Sequence, residues 1–589
     1  MKHLITSAIP YVNGVKHLGN LIGSMLPADV FARYCRQTGA ETLFICGTDD
    51  HGTPIEIAAE KEGVPTADFV KKWHDFQADI YTRFGLSFDY FGNSSSPQNR
   101  ELTQHFAAKL HENGLIDMRS QTMLYSKADN RFLPDRYVEG TCPKCGFAKA
   151  RGDQCDNCGS VLDPTDLIEP YSSISGSRDL ELRESKHLFL KQSQLVPQLR
   201  KWIDAQNWPL LSKSIAYKWL DEGLEDRGIT RDIKWGVPVP TEVFGEEFKD
   251  KVFYVWFDAP IAYIAATKEW ADAQGLADSA WQAWWRHDRG ADNVTYTEFM
   301  GKDNVYFHTL SFPATLIGSS EPWKKVDSLK SYNWLTYYGG KFSTSMGVGI
   351  FTDTALELLS ADYWRYYLLA RVPESDDSAF TWKDFQAVVN KDLADVLGNF
   401  VNRTLQLTHK HFGAEIPPMG EATAADNQLA EQLNTALASY TKNMENAELR
   451  KAMADLRQLW VLGNEYLAAQ EPWQVIKTDR DRAVTILHLA IQMIPLFARA
   501  MAPIIPYTAA KLMALFPNPQ AFIKTPIPQG PRPAEGQPTT LHTPWPWPTS
   551  LQTCQDAGGT FQLPEGVLFA KITDEQIEEW ETRFGNQKA

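Results

Sequence analysis

Residues 3–46 read HLITSAIPYVNGVKHLGNLIGSMLPADVFARYCRQTGAETLFIC. The apolar run at residues 4–9 predicts a buried strand, and Pro10 and Gly14 predict a turn after it. A helix is predicted over residues 18–38, and a second strand over residues 42–46. Strand, helix and strand in this order form a βαβ unit, the building block of a parallel sheet. The segment therefore predicts an α/β fold.

Length and composition favour a globular protein of several domains. The chain has 589 residues, whereas single domains usually contain ~100–200. Apolar residues make up 43% of it and charged residues 22%, which excludes a disordered protein. The 58 basic and 73 acidic residues give a net charge of −15, so a generally basic nucleic-acid binder is excluded. Any contact with RNA is expected to be local.

No segment predicts export or a membrane span. Residues 1–9 are apolar for only a few positions before Pro10, which is typical of a buried strand. Residues 483–498 contain His488, Gln492 and Pro495 and are shorter than the ~20 residues of a span, so they predict a core helix. Seven cysteines, four of them in two CxxC pairs, favour a metal site over disulfides. We therefore expect a cytoplasmic protein.

A candidate anion site lies at the start of the first helix. His17, Leu18, Gly19 and Asn20 stand where free backbone N–H groups and the helix dipole attract negative charge. The side chains of His17 and Asn20 can add donors to phosphate oxygens, and Gly19 lets a flat base approach the backbone. A His-Leu-Gly tripeptide alone is more often structural, so the interpretation depends on further motifs.

Four cysteines have the spacing of a zinc knuckle. Cys142, Cys145, Cys155 and Cys158 form a CxxC-x9-CxxC motif, and glycines 146 and 159 follow the two pairs. Four thiolates at this spacing are typical of tetrahedral Zn²⁺. All four ligand positions are filled by sulfur, so one structural zinc ion is predicted rather than a catalytic one.

The pattern changes twice beyond the first unit. A cysteine-bearing insert at residues 140–163 interrupts the sheet, and the aromatic run 250–257 predicts a buried strand that resumes it. From residue 383 onward long helices are predicted, since Leu449, Met453, Leu456 and Trp460 have the spacing of an apolar helix face. Residues 517–548 are rich in proline and predict an extended connector packed onto the body. Residues 573–583 predict a short closing helix.

The motif HLGN at residues 17–20 resembles the HIGH signature of class I aminoacyl-tRNA synthetases. Residues 341–345, KFSTS, resemble the KMSKS loop of the same class and follow in the expected order. Four further strings are similar to methionyl-tRNA synthetases: FICGTDDHG at 44–52, FLPDR at 132–136, YVWFDAP at 254–260 and GKDNVYFH at 301–308. The resemblance extends from the N-terminus to about residue 510.

The resemblance implies a fold and an activity. The implied fold is a Rossmann-like parallel sheet with an inserted zinc-knuckle domain, followed by an all-α helical bundle that binds the anticodon. The implied domains are two catalytic halves at 1–113 and 236–325, a connective insert at 114–235, a stem-contact segment at 326–382, the helical domain at 383–516 and a proline-rich extension at 517–589. The implied activity is ATP-dependent activation of L-methionine to methionyl-adenylate and transfer to tRNA(Met), for initiation and elongation of translation.

The resemblance also assigns residues to ligands. The Asp49 carboxylate is expected to bind the methionine ammonium group, and aromatic side chains suit the thioether. The residues implied in methionine binding are Ala8, Ile9, Tyr11, Asp49, Trp256, Ala259, Pro260, Tyr263 and His308. Those implied in ATP binding are His17, Gly19, Asn20, Gly301, Lys302, Asp303, Lys341 and Thr344, and those implied in catalysis are His17, Asn20, Arg231, Lys341 and Thr344. Mg²⁺ is expected with ATP, because pyrophosphate carries charge that side chains alone cover poorly.

Three positions depart from the family pattern. Asn20 replaces the second histidine of HIGH, and Thr344 replaces the second lysine of KMSKS, so neither position carries a positive charge. This combination resembles a subset of the family, which favours an active enzyme whose catalytic charge has shifted to Lys341. Phe312 stands where many family members have tryptophan.

By the same resemblance, Asn399, Arg403 and Trp473 are expected to read the anticodon. Asn399 and Arg403 are four residues apart and share a helix face, and unstacked bases are recognised by stacking on aromatic or guanidinium planes. The expected partners are ATP, L-methionine and tRNA(Met), with no membrane. A monomer is expected, because the appended tRNA-binding domain of many dimeric relatives is not recognised after residue 516.

Other interpretations fit less well. The leucine, isoleucine and valine synthetases carry a large editing domain, whereas only about 120 residues, 114–235, fill that gap here. A degenerate synthetase that binds RNA without catalysis is supported only by Thr344. A free-standing zinc-dependent RNA module is far smaller than 589 residues.

Overall fold

A five-stranded parallel sheet lies at the centre of the molecule, seen in a computed structural model that describes residues 2–152, 155, 157–158, 160, 162–343, 347–516, 545–551 and 559–585. In chain order its strands are β1 (Lys2–Ser7), β2 (Glu41–Thr48), β3 (Tyr90–Asn93), β4 (Val294–Gly301) and β5 (Ser328–Tyr332). Their spatial order is β5-β4-β1-β2-β3, so the winding reverses between β1 and β4. Sheets of this kind bind ligands at such a switch point, beyond the carboxyl ends of the strands.

The predicted βαβ unit is confirmed. Strands β1 and β2 pair in parallel, and a continuous helix connects them through Leu18–Asn20, Leu21–Met25 and Leu26–Gln37. The middle segment, Leu21–Met25, is a π-helical turn. Most residues of the five strands are buried, because both faces of a parallel sheet are covered by helices.

Further helices flank the two halves of the sheet. Those of eight or more residues are Thr53–Glu62, Thr66–Arg83, Pro97–Glu112, Ala262–Ala273 and Asp278–Trp285. Shorter helical segments at Val255–Asp258, Phe307–Ser311 and Phe312–Gly318 belong to the second half, and Phe307–Ser311 is π-helical. One buried cluster runs from Leu26 beside the sheet to Leu456 in the helical domain, so these two parts share a core.

The insert between the halves contains two antiparallel sheets. The four-stranded sheet has the order Arg227–Gly228, Leu180–Leu190, Ile116–Ser126 and Arg131–Phe132. The three-stranded sheet has the order Ala150–Arg151, Val138–Thr141 and Ile168–Ser172. Helices Val196–Asp204 and Leu210–Glu222 complete the insert.

The strand predicted over residues 250–257 is wrong for most of that run. Only Val252–Phe253 is a strand, and it pairs with Thr230–Arg231 rather than with the central sheet. Val255–Asp258 is helical, and the sheet resumes at β4. A short apolar run is buried in either conformation, so its pattern alone does not separate strand from helix. The sheet also extends past residue 325, since β5 begins at Ser328.

The chain then passes into the helical domain. A small parallel pair, Leu335–Tyr337 with Ser378–Phe380, and the helices Thr352–Leu358 and Ala361–Ala370 precede it. The helices of the domain are Trp382–Val388, Val389–Gly398, Asn399–Phe412, Ala424–Glu445, Leu449–Gln470, Pro472–Val475, Arg480–Met501 and Pro506–Ala514. Of these, Val389–Gly398 is π-helical. The change to long helices predicted at residue 383 is confirmed.

Two helices form the core of this domain. Arg480–Met501 is long and apolar enough to cross a membrane by length and composition alone, but 94% of its apolar window is buried inside the protein. It is a core helix, as predicted. The apolar face of Leu449–Gln470 is likewise buried, including Leu456 and Trp460.

The C-terminal residues pack against the helical domain. The Nε1 atom of Trp547 donates to Thr441 Oγ1 at 2.9 Å, and Trp580 packs on Trp382 with ring centroids 5.0 Å apart. Trp580 belongs to the helix Asp574–Phe584, which confirms the predicted closing helix. Most of the predicted connector, residues 517–544, lies outside the described residues, whereas residues 545–548 pack onto the body as expected.

Candidate active site

The start of the first helix is closed by a reciprocal cap. The backbone N–H of Asn20 donates to His17 Nδ1 at 3.3 Å, and the backbone N–H of His17 donates to Asn20 Oδ1 at 3.2 Å. The His17 ring stacks on Phe342 of the KFSTS segment at 4.8 Å, so the two motifs are in contact. Burial, helped by the charge of Lys16, lowers the pKa of His17 to about 3. His17 is therefore neutral here and offers hydrogen bonds rather than charge.

A cavity of about 320 Å³, here called the helix cavity, lies in front of this helix start. Six residues predicted to bind ATP line it: His17, Gly19, Asn20, Gly301, Asp303 and Lys341. The exposed Trp334 also lines it, and the ammonium group of Lys341 lies 5.1 Å from the centre of its ring. Sequence reasoning missed Trp334. Thr344 lies outside the described residues.

Two glycines keep the helix cavity open. A Cβ atom at Gly19 would lie 3.0 Å from His17 Nδ1, and one at Gly301 would lie 2.6 Å from Asp303 Oδ1. A side chain at either position would displace a neighbour that lines the cavity. Small residues here let a ligand approach the backbone closely.

An adjoining cavity of about 300 Å³, here called the aromatic cavity, is lined by all nine residues predicted to bind methionine. The Trp256 ring stacks on Phe307 at 4.0 Å, and the Tyr263 hydroxyl and His308 Nε2 are hydrogen-bonded at 2.9 Å. The two cavities share the wall residues Ala8, Ile9, Pro10, Asn20, Asp303 and Asn304. Phe312 is buried and does not line either cavity.

Asp49 is a buried carboxylate without a full set of partners. Its Oδ1 atom is buried and has no hydrogen-bond partner in the described part of the chain. Burial raises the pKa of Asp49 well above its usual value, and the carboxylates of Asp258 and Asp50 raise it further. Buried polar atoms are nearly always paired in folded proteins. An ammonium ion in the aromatic cavity would provide the missing partner.

A second buried acid, Glu298, lies behind the aromatic cavity on β4. Its carboxylate accepts a hydrogen bond from the Tyr296 hydroxyl, and its other oxygen is buried without a partner in the described structure. Burial raises the pKa of Glu298 to about 8, and its charge acts on Tyr263 in the cavity wall. Sequence reasoning missed Glu298, because a lone glutamate in an apolar strand gives no functional signal.

Arg231 and Lys302 line a neighbouring cleft rather than the two cavities. Arg231 pairs with Asp135 at 3.0 Å, and its guanidinium group lies 3.7 Å from the centre of the Tyr254 ring. Lys302 pairs with Asp377 at 2.8 Å. This cleft, of about 810 Å³, adjoins the aromatic cavity through Trp256. The two predicted cations thus line the cleft together with the predicted site residues Tyr11, Trp256 and Asp303. The ammonium group of Lys302 also lies 4.3 Å from the centre of the Trp334 ring, which lines the helix cavity.

The four cysteines of the knuckle converge. Their Sγ atoms lie within 4.8 Å of one another, with Cys142 and Cys158 at 3.9 Å and Cys145 and Cys155 at 3.6 Å. Four sulfur atoms around one Zn²⁺ at ~2.3 Å lie roughly 3.8 Å apart, so the cluster fits a tetrahedral ion. The cluster can hold a metal ion with no position left for a substrate.

The predicted anticodon residues lie on one face of the helical domain. The guanidinium group of Arg403 lies 4.7 Å from the centre of the Trp473 ring, and both residues line a shallow cavity. Asn399 is exposed one turn before Arg403, directly after the π-helical segment. Asn402 and Lys410, which sequence reasoning missed, line the same cavity.

Comparisons with known proteins agree with this arrangement. A family model described as tRNA synthetases class I (M) matches residues 3–405. A second, described as the anticodon binding domain of methionyl tRNA ligase, matches residues 416–525 and 521–589. A solved structure of Mycobacterium tuberculosis methionyl-tRNA synthetase in complex with methionyl-adenylate has a TM-score of 0.73 at 23% identity, over 96% of this chain and 99% of that one, which shows the fold.

Full-length relatives are more similar. The methionine–tRNA ligase of Caulobacter sp. (strain K31) is 55% identical over 590 residues, covering 99% of each chain. That of Ruegeria sp. (strain TM1040) is 55% identical over 591 residues, covering 100% of this chain and 99% of the relative. Since a family model spans most of the chain and full-length relatives are more than half identical, the chain belongs to the methionyl-tRNA synthetases, the methionine–tRNA ligases of class I.

Proposed function

We propose that the chain activates methionine in the aromatic cavity with ATP bound in the helix cavity, and then transfers the methionyl group to tRNA(Met). The observation that carries this proposal is the shared wall of the two cavities. A carboxylate in one cavity can then meet an α-phosphate in the other. The carboxylate oxygen forms a bond to phosphorus, and the bond from phosphorus to pyrophosphate breaks.

Two features of the aromatic cavity would recognise methionine: a buried carboxylate and a wall of aromatic side chains. Asp49 would bind the ammonium group, because its buried Oδ1 atom has no hydrogen-bond partner among the described residues. Trp256, Tyr263 and His308 would surround the thioether, which makes favourable contacts with ring edges. His308 is neutral, since burial lowers its pKa to about 3, and so presents no charge to an apolar side chain.

ATP recognition is assigned to the helix cavity. His17 and Asn20 would contact phosphate oxygens at a helix N-terminus, and Gly19, Gly301 and Asp303 would hold the adenosine part. Lys341 would stabilise charge that develops on the phosphates. Lys302, Arg231 and Thr344 remain predictions, since the first two lie in the neighbouring cleft and the third lies outside the described residues. Mg²⁺ bound with ATP would neutralise charge on the pyrophosphate.

The tRNA would contact the protein at two distant places. We assign the acceptor end to the cleft lined by Arg227, Arg231 and Trp219, because it leads to the aromatic cavity and presents cations and rings to a single strand. We assign the anticodon to the face with Asn399, Arg403 and Trp473. The basic groups are local, in agreement with the acidic chain as a whole.

Zinc is the metal that we assign to the cysteine cluster, with a structural role. Four closely spaced sulfur atoms and no open position support it. A monomeric state and a cytoplasmic location stay predictions from the sequence. Light scattering of the purified protein would test the monomer, and metal analysis would test the zinc.

The decisive experiment is ATP–pyrophosphate exchange measured with each of the twenty amino acids, followed by aminoacylation of tRNA. Exchange that depends on methionine, and charging of tRNA(Met), are the expected results. Binding of tRNA without any exchange would contradict the proposal. That outcome would favour a homologue that binds RNA without catalysis.

A further inference from the structure

The aromatic cavity contains a cation to which no role has been given. Among the described residues that line it, Lys16 alone has an ammonium group. The lysine of the KFSTS segment, Lys341, lines the helix cavity instead. Neither Asn20 nor Thr344 can supply a positive charge. Among the described residues that line the aromatic cavity, Lys16 is therefore the candidate for a positive charge beside the shared wall.

Lys16 is held in place by its neighbours. It directly precedes the helix cap formed by His17, and its backbone carbonyl accepts a hydrogen bond from Thr352 N at 2.8 Å. Its Nζ atom donates to Asn13 Oδ1 at 2.9 Å. Only 6% of the residue is exposed. The ammonium group is thus fixed in the cavity wall and is not a mobile surface charge.

The surroundings of Lys16 do not satisfy its charge. An ammonium group has three donors, and the hydrogen bond seen here goes to a neutral amide oxygen. Burial lowers the pKa of Lys16 to about 7, although the charge of Asp49 opposes this change. A buried cation without a contacting anion is costly, as is a buried carboxylate without a contacting cation. The cavity therefore contains one acidic and one basic group that each lack a full partner, and a ligand that carries the complementary charges would stabilise both in their charged forms.

Methionine carries the two groups that would match this pair. Its ammonium group suits Asp49, and its carboxylate suits a cation a few ångströms away. The carboxylate is also the nucleophile of the proposed activation step, so it must lie beside the wall shared with the helix cavity. Lys16 and Asn20, which lines both cavities, are on the same short segment.

We propose that Lys16 binds the carboxylate of methionine and holds it toward the α-phosphate of ATP. This inference rests on the proposed function and names a further catalytic residue for it. The step transfers no proton: a carboxylate oxygen bonds to phosphorus, and pyrophosphate leaves with the bonding electrons. In this chain the positive charge beside the nucleophile would thus lie on the buried segment before the first helix and not on the KFSTS segment.

The test compares two ligands in two variants. Methioninol has the ammonium group and the thioether of methionine but a neutral hydroxymethyl group in place of the carboxylate. In Lys16→Met, methionine affinity should fall by roughly 10–100-fold, because a charged hydrogen bond is lost, while methioninol affinity changes by less than about threefold. Asp49→Asn is the matched control and should weaken both ligands. Lys16→Gln provides a second, polar replacement should Lys16→Met unfold.

The outcomes separate the two proposals. Equal losses for methionine and methioninol, or no loss for either, would overturn the role of Lys16 while wild-type exchange still supports the proposed function. Wild-type protein without methionine-dependent exchange would overturn the proposed function itself. Retained selectivity for methionine over methioninol in both Lys16 variants would also contradict the assignment.

Discussion

The aromatic cavity and the anticodon face of the helical domain use charge in opposite ways. In the cavity, Asp49 and Lys16 are 2% and 6% exposed, and neither has an ion-pair partner in contact within the described residues. On the helical domain, Arg403 is partly exposed and already rests on Trp473. The cavity therefore holds buried ionisable groups that a charged ligand would complete, whereas the anticodon face presents solvated groups supported by an aromatic ring.

This difference follows from what surrounds each region. The cavity lies at the switch point of the sheet, where buried backbone and helices exclude water and keep electrostatic interactions strong. The anticodon face lies on helices whose opposite side is packed against Arg480–Met501. Substitutions in the aromatic cavity should therefore lower the rate of adenylate formation by orders of magnitude. Substitutions on the anticodon face should alter only tRNA binding.

The largest effect is expected from Asp49→Ala. Methionine-dependent pyrophosphate exchange should fall by roughly 10³-fold or more, because the buried ligand ammonium would lose its carboxylate. The fold should persist, since Asp49 Oδ1 makes no hydrogen bond in the described structure. Exchange assays beside thermal unfolding check both statements. Near-normal exchange by the folded variant would show that Asp49 does not bind methionine, and would contradict the contrast drawn between the aromatic cavity and the anticodon face.

Lys341→Ala tests the helix cavity, which adjoins the aromatic cavity. Adenylate formation in a single turnover should slow by roughly 10²–10³-fold, since one charged donor to the phosphates is lost. Equilibrium binding of methionine should change much less, because Lys341 does not line the aromatic cavity. Thr344→Lys should be neutral or mildly activating. Wild-type speed in Lys341→Ala would mean that Lys16, Lys302 or the metal ion meets the phosphate charge alone.

Trp473→Ala and Arg403→Ala sharpen the contrast between the two regions. Charging of tRNA(Met) should fall by roughly 10–100-fold in kcat/KM, because each stacked base contributes ~1–3 kcal/mol. Exchange without tRNA should be unchanged. Arg480→Ala is the matched control, since Arg480 also lies on an aromatic ring, Phe412, at 4.6 Å but outside the predicted face. A loss of exchange in either anticodon variant would contradict the separation of the regions.

The zinc knuckle should have a smaller effect on chemistry. Purified protein should contain about one zinc ion per chain, and Cys145→Ser should make residues 138–172 more sensitive to protease. Exchange should fall by less than about tenfold, because no cysteine of the cluster lines either cavity. Metal analysis and limited proteolysis provide the measurements. Zinc-free, fully active protein purified without chelators would exclude the structural ion.

The smallest effect is expected from Glu298→Gln. The folded pKa of Glu298 is about 8, above its usual value of 4.5, so the folded state retains a proton that the unfolded state loses. Stability contributed by this group is present below pH 4.5 and is lost as the pH rises toward 8. The variant should therefore show a Tm that falls less between pH 5 and pH 8, by a few degrees. Parallel pH profiles of the two proteins would contradict it.

Local sequence patterns determined much of the molecule. The βαβ unit, the spacing of the cysteines and the apolar face of Leu449–Gln470 are set by near neighbours in the chain, and all three are present in the structure. The nine residues assigned to methionine by resemblance also line one cavity. Their spacing along the chain alone would not have brought them together, because they come from both halves of the sheet.

Tertiary structure decided the rest. The aromatic run 250–257 is a strand only at Val252–Phe253, because its neighbours in space, not its pattern, choose the conformation. Arg231 lies in a separate cleft where Asp135 holds it. Lys16 and Glu298 look ordinary in the sequence and become notable only through burial beside a cavity. The burial of a side chain and the lack of a hydrogen-bond partner depend on residues that are distant in the chain. The sequence therefore determined which ionisable side chains are present, and the fold determined which of them are buried without a full set of partners.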